Sequence, residues 1–417
     1  MNPSEPQPFL VTEDQRIVEL TAARLRADPR TAAAVDRVAR HWIDEMQPNA
    51  EHRARFAAEY EQAAFCGFMN AANDDPLYPR LHAFARFAHE TDGIAIPATK
   101  SAHPNPDYIY RFAPIDGDSR YLLHGKVPES GPLVCEYAML TAEQVYQKNV
   151  SLKDLQIASD GSFTISVDPD PANGRPNHFQ ADGESFQLLL RDVIGDPATQ
   201  APVALRIERI GPPPSRPPRS FEDMLGNVER HILKHVDDLI FVTRNFVLKN
   251  PVNVFAAPRI QSQSMYSVAQ AYSPGHYRIR DDEALVVTLT LGGAAYATVP
   301  VSDMWGGLGD ILGHQVNLGT PQAAPNPDGS YSFVLATRDP GIANWIDPDG
   351  LHEGVIFIRW IGLPPPAEDA PPPMLDVRLV RLDAIEAVLP PGVPRADAGF
   401  RRRQLAARRA GYLRVMG

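Results

Sequence analysis

Between residues 12 and 92, apolar positions such as Val18, Ala22 and Leu25 recur at i, i+4 and i+7 among Ala, Arg and Glu, the spacing of one helix face. Three or four helices are expected here, with starts and breaks at Thr12, Pro29, Pro48 and Pro76. A threonine oxygen caps orphan amides, and proline is tolerated only near a first turn. From Asn105 the texture changes to short aromatic and β-branched runs separated by Asp-Gly, Pro and Asn, the marks of strands and turns. A second such region runs from about His276 to Asp383. Between the two, Leu225, Val228, Ile232, His235, Leu239, Val242 and Phe246 alternate by three and four. They predict one long helix, Phe221 to Lys249, with its stripe buried against a β layer or another helix. Ser220 and Asp223 open it as a capping-box variant, and Asn250-Pro251 closes it. A basic helix beginning near Ala398, solvated or interface-forming, ends the chain.

The two β regions repeat each other. "DGSFTISVDPDPANGRPNHFQADGESFQLLLRD" from Asp160 returns as "DGSYSFVLATRDPGIANWIDPDGLHEGVIFIRW" from Asp328. The alignment places Asp160 over Asp328, Ser162 over Ser330, Asn177 over Asn344, Asp182 over Asp349 and Arg191 over Arg359. It continues into "VALRIERI" and "LDVRLVRL". A duplicated module makes one pseudo-symmetric body whose chemistry sits where the copies differ or meet. The expected class is α+β, mainly β: two duplicated jelly-roll-like β-sandwich modules, an N-terminal helical segment and a long connecting helix. The boundaries are 1–100 helical, 101–215 first β module, 216–264 connecting helix and linker, 265–390 second β module and 391–417 basic helix.

The 417 residues carry a formal charge of -11, which gives no general reason to bind phosphate backbones, so nucleic acid is not an expected partner. No run of eighteen apolar residues occurs, and the N-terminus lacks the pattern of an export signal, so a soluble cytoplasmic protein without a membrane partner is expected. Cys66 and Cys135 form neither a disulfide framework nor a Cys-x-x-Cys site. His231 and His235 share a helix face without an evident third ligand, and no phosphate-cradling glycine motif or serine-hydrolase elbow occurs. No metal and no cofactor are therefore expected.

Four groups of residues carry candidate chemistry. The turn "ANWIDPDGLHEG" gathers Asn344, Trp345, Asp347, Asp349, His352 and Glu353, with Trp360 following. Carboxylates beside aromatic rings could hold a sugar or supply an acid and a base, although Asp-Pro-Asp-Gly is also ordinary turn chemistry. Arg191 and Arg359 lie in otherwise apolar strands and must be paired, by a core carboxylate or by an anionic ligand, and duplication favours a structural ion pair. Glu136 is the one charged residue in "PLVCEYAML", and the matching strand "AAYATVPV" has no carboxylate. Desolvation would suit it to a general acid, and pairing with a duplicated arginine is the competing account. Finally, "NPDYIYR" supplies Asn105, Asp107, Tyr108, Tyr110 and Arg111, and "QSMYSVAQAYSPGHY" supplies Tyr266, Tyr272, His276 and Tyr277 as rim donors or acceptors.

At "NPDYIYR", and more fully from "MYSVAQAYSP" through "GIANWIDPDGLHEGVIFIRWIGLP", the chain resembles the bacterial family called domain of unknown function 1214, often joined to family 1254. The resemblance implies a β-rich, jelly-roll-like body and brings no function or catalytic residue with it. The functional expectation is a cofactor-independent enzyme using carboxylate acid/base chemistry on a small molecule, a glycosidase-like hydrolase of a glycoside or related ether, at a site between the modules roofed by helices. In it Glu136 is the acid, Asp347 or Asp349 the base or nucleophile, Trp345 and Trp360 a platform, Arg359 an anion anchor, and Asn344 and Tyr110 further contacts. A lyase or isomerase on the same groups, or a non-catalytic ligand-binding or scaffold protein, is the alternative. A homo-oligomer is left open.

Overall fold

The computed structural model describes residues 9–260, 270–364 and 371–416. Three helices open it, α1 (Glu13–Ala27), α2 (Ala32–Met46) and α3 (Ala50–Ala72). The Thr12 side chain accepts from the Gln15 amide at 3.1 Å, and Asn49 caps α3 by accepting from the His52 amide at 3.0 Å. Beyond α3 the chain turns to strand, not to a fourth helix. Asp75 and Pro76 form a tight turn in which the Asp75 carboxylate accepts the Leu77 amide, 3.1 Å. His82–Phe84 then adds to the open edge of the first β module.

Seven strands of the first module recur in the second: β1 (Tyr108–Pro114), β2 (Arg120–Lys126), β3 (Val134–Leu140), β4 (Ser162–Asp168), β5 (His178–Gln180), β6 (Gln187–Val193) and β7 (Ala204–Ile210), while Tyr146–Ser151 adds an edge to β3. Their counterparts in the second are β8 (Gln270–Arg278), β9 (Glu283–Leu289), β10 (Tyr296–Thr298), β11 (Tyr331–Leu335), β12 (Trp345–Ile346), β13 (Glu353–Ile361) and β14 (Leu375–Arg381). One sheet runs β1-β6-β3 in the first module and β8-β13-β10 in the second, and its partner runs β7-β2-β4-β5 and β14-β9-β11-β12. Even the parallel pair β4/β5 recurs as β11/β12 among otherwise antiparallel pairings. In each module side chains from both sheets meet in one apolar core, such as Leu123, Tyr137 and Ile165 in the first and Leu285, Phe333 and Trp360 in the second. These are two β-sandwiches with the same strand order. The second starts at Gln270, earlier than His276, because the strand pairs with β13 along its whole length.

The repeat also fixes details. Asn177 bonds both backbone groups of Gln156 at 2.8 Å, and Asn344 does the same to Ala324. Asp160 and Asp328 each accept the amide and hydroxyl of the serine two residues on. The duplicated asparagines and aspartates therefore tie loops down.

The connecting helix α4 (Phe221–Val242) lies on α3, with Val228, Ile232 and Leu239 buried and Leu225 only half-buried. A Cβ at Gly67 would come within 2.6 Å of the Ile232 backbone, so glycine permits the close crossing. The expected capping box is present, with Ser220 and Asp223 exchanging bonds at 3.0 and 3.1 Å. The helix does not run as α to Lys249: Thr243–Leu248 is π-helical. There the Thr243 hydroxyl bonds back to the Leu239 carbonyl at 2.8 Å, competing with the regular ladder. The basic helix α5 (Ala398–Met416) docks rather than floats: Arg401 and Arg408 are buried, and the Tyr412 hydroxyl donates to the buried Asp107 at 2.6 Å. Among the described residues no helix is long and apolar enough to cross a membrane.

Candidate functional site

Alternation along β6 and β13 sends one set of side chains into each sandwich core and the other set outward. Outward from β6 come Leu189, Arg191 and Val193, and outward from β13 come Phe357, Arg359 and Ile361. Arg191 and Arg359 both line a cavity of about 540 Å³ between the modules. Helix α3 contributes Cys66 and Met69, and α4 contributes His235, Leu239, Phe241 and Val242. The remaining wall is mainly aromatic, with Phe84, Tyr108, Tyr110, Phe112, Tyr146 and Tyr272.

The two arginines are equivalent by sequence and strand position but not by partner. Across the sheet, Arg191 stands between Tyr110 on β1 and Glu136 on β3, while Arg359 stands between Tyr272 on β8 and Thr298 on β10. The Arg191 guanidinium lies 2.9 Å from the Glu136 carboxylate, which also accepts from the Gln270 amide at 2.6 Å. Gln270 in turn accepts from the Tyr272 hydroxyl, so the network crosses from one module to the other. Burial opposes the Arg191 charge, yet Tyr146 and Glu136 hold its pKa well above the ordinary arginine value.

Arg359, 7% exposed, has only threonine at the corresponding place. One of its nitrogens donates to the His103 carbonyl, and the other terminal nitrogen, Nη1, has no acceptor among the described residues. Its guanidinium lies 4.9 Å from the centre of the Phe357 ring, and it pairs with no carboxylate among the described residues. The His103 carbonyl is fixed because the ring is clamped between the Ser302 and Thr243 hydroxyls, each at 2.8 Å. Burial drops the His103 pKa to about 3, so the ring is neutral beside the cation.

Burial sets the other titrating groups of the wall. The His235 pKa falls to about 4, and its Nε2 approaches the Lys100 carbonyl at 3.1 Å. The Cys66 thiol is pushed up to about 12 while it donates to the same carbonyl at 3.0 Å, so no thiolate nucleophile stands ready. The Tyr108, Tyr110, Tyr146 and Tyr272 phenols are all raised, first by burial, and remain neutral donors. The Tyr108 hydroxyl and the Arg191 Nε have no partner among the described residues.

Of the residues expected at a site, the structure gathers Tyr108, Tyr110, Arg191, Tyr272 and Arg359 on the wall, with Glu136 held against Arg191. The others lie elsewhere. Asp347 is 2.8 Å from His314, and Asp349 pairs with Arg55 at 3.0 Å and His314 at 3.3 Å, on a turn that lines no part of the cavity. Trp360 is fully buried in the second sandwich, with its indole bonded to the Thr290 carbonyl at 2.8 Å, so it offers no platform. Trp345 donates to the Ala336 carbonyl at 2.8 Å beneath the Arg401 guanidinium, and Asn344 ties the Ala324 loop. His352 and Glu353 pair with Glu51 and Arg278. Asp107 and Arg111 are engaged in the interior, and Tyr277 is buried in the second core. His231 contacts Asp74 at 3.0 Å, separately from His235. Tyr266 lies outside the described residues, and among those described no group of His, Cys, Asp and Glu is placed to hold a metal ion. Sequence reading missed Phe84, Tyr146, Phe241 and the role of Thr298. Only the last left a signal, the absence of a carboxylate from "AAYATVPV".

No family model matches the chain, and no curated protein matches it. Among solved structures it is similar to an uncharacterized protein from Burkholderia cenocepacia, with a TM-score of 0.71 and 24% identity over 87% of this chain and 99% of that one. The likeness shows a shared fold. A protein from Vibrio parahaemolyticus matches at a TM-score of 0.41 and 9% identity, over 66% of this chain and 90% of that one.

Proposed function

We propose that the protein binds a small, largely apolar monoanion in the cavity between its modules, with Arg359 as the anchor. The observation that carries this reading is the buried Arg359 guanidinium on an apolar wall, without a carboxylate among the described residues, where its counterpart Arg191 has Glu136. An unpaired buried charge costs several kcal/mol, and an anionic ligand removes that cost while its hydrocarbon part gains from the rings around it. A concave, mainly apolar site with a few convergent polar groups is the usual form of a small-molecule pocket.

The acid/base reading finds less support. Glu136 is held by Arg191 and Gln270, and Asp347 and Asp349 do not reach the cavity that Arg359 lines. The test is calorimetry and thermal melting with small aryl and alkyl monocarboxylates against their primary amides. Carboxylates should bind and raise Tm, by about 2.7 kcal/mol of stability at a hundredfold excess over Kd. Amides should bind far more weakly, and Arg359→Gln should erase the difference. Equal affinity for acids and amides would overturn the reading.

A further inference from the structure

The wall of this same cavity also limits what the anion can be, and the inference that follows rests on the anion-binding reading. The apolar lining is chiefly aromatic and comes from both modules. Phe84 stacks on Phe112 at 4.4 Å and tilts against Tyr110 at 5.3 Å, and opposite them Tyr272 meets Phe357 edge-on at 5.7 Å. Offset and edge contacts among rings are worth more than their buried area, so such a wall favours a flat aromatic occupant over a flexible chain that must be ordered to fit.

Charge sets a second limit. Arg191 is balanced by Glu136, and Lys234 by Asp238 at 3.0 Å on α4. Glu143 sits on the exposed rim. Inside, Arg359 leaves one positive charge to be met, which calls for one anionic group and no more.

The third limit comes from the first module's side of the cavity. There the Tyr108 hydroxyl, on a residue 3% exposed, and the Arg191 Nε are buried donors without acceptors among the described residues. Leaving such donors unmet in a buried place is costly. Because Arg191 already has its carboxylate, the missing acceptor is an uncharged oxygen.

We infer that the occupant is an aromatic monocarboxylate carrying a second, uncharged oxygen: the carboxylate meets Arg359, and the second oxygen accepts from Tyr108 and Arg191. Calorimetry on the full chain with para-hydroxyphenylpropanoate, phenylpropanoate and nonanoate tests this, the last two having equal carbon number. The hydroxy compound should bind roughly tenfold tighter or more than phenylpropanoate, because its oxygen meets two buried donors. Phenylpropanoate should in turn bind tighter than nonanoate. Tyr108→Phe should cut the advantage of the hydroxy compound to what Arg191 alone supplies and leave phenylpropanoate affinity in place. Where that variant melts early, para-methoxyphenylpropanoate decides on the unaltered protein: it can only accept, so it must keep the advantage. Nonanoate binding as tightly as phenylpropanoate overturns the aromatic assignment, and equal losses for both phenyl compounds in Tyr108→Phe overturn the second-oxygen assignment. If none of the three acids binds better than its amide, the anion-binding reading itself has failed.

Discussion

The strand β6 of the first module and β13 of the second carry the same residue at the same place, and the two arginines have different fates. Arg191 is closed off by Glu136 on the neighbouring strand, whereas Arg359 faces Thr298 there and is left to a backbone carbonyl and the cavity. Duplication supplied two copies of one buried cation, and a single neighbouring position decides which is scaffold and which is available. A residue shared by both copies can therefore be paired with a carboxylate in one and left without one in the other.

The most severe way to break the comparison is to remove each arginine in turn. Arg191→Leu strands the buried Glu136 and should cost about 3–5 kcal/mol in chemical denaturation. Arg359→Leu strands no carboxylate and takes away a buried charge that is costly while unpaired, so without ligand it should be neutral or stabilising. Equal losses would mean that Arg359 has a partner of the same strength.

Acid should act on the buried histidines around the cavity, His82 on the first module's side included, whose pKa burial lowers to about 4. His103, which fixes the Arg359 carbonyl partner, and His235, on the cavity wall, have folded-state pKa values of about 3 and about 4, below the ordinary 6.5. The unfolded chain binds protons first as pH falls, so their stabilisation is complete above about pH 6.5 and is lost progressively toward about 4 for His235 and about 3 for His103. Thermal melting from pH 7 down to 4 should show Tm falling, with a shallower fall in His235→Gln. An unchanged slope in that variant would contradict its neutral state.

The asparagine pair offers a milder test. Asn344→Ala loses three bonds at a buried site and Asn177→Ala two at a more exposed one. Both should destabilise, by about 1–3 kcal/mol, the second module more than the first. The smallest change sharpens the comparison most. Thr298→Glu gives Arg359 the partner that Arg191 has and should weaken carboxylate binding about tenfold or more, some 1.4 kcal/mol, while amide binding stays as it was. Undiminished carboxylate affinity in a folded Thr298→Glu protein would show that the anion does not sit at Arg359.

Much of the architecture was legible before folding. The three-four alternation of α4, the capping pair Ser220 and Asp223, and the repeat from Asp160 to Arg191 are local patterns with local physical causes: periodicity, orphan amides and turn geometry. They determined the helices, the strands and the existence of two equivalent modules. The candidate site was only half legible, because a sequence shows which side chains are unusual and not which ones face each other. Asp347, Asp349, Trp345 and Trp360 crowd together along the chain, yet the indole of Trp360 turns into a sandwich core and the aspartates turn to Arg55 and His314. Tyr110, His235, Tyr272 and Arg359 lie far apart along the chain and meet on one wall because the two outward sheet faces meet under α3 and α4. The sequence determined that two strands would each bury an arginine. Only the packing of strand against strand decided that Glu136 would neutralise one and that the other would face an aromatic cavity, since charge pairing depends on distances of a few ångströms that no local pattern encodes.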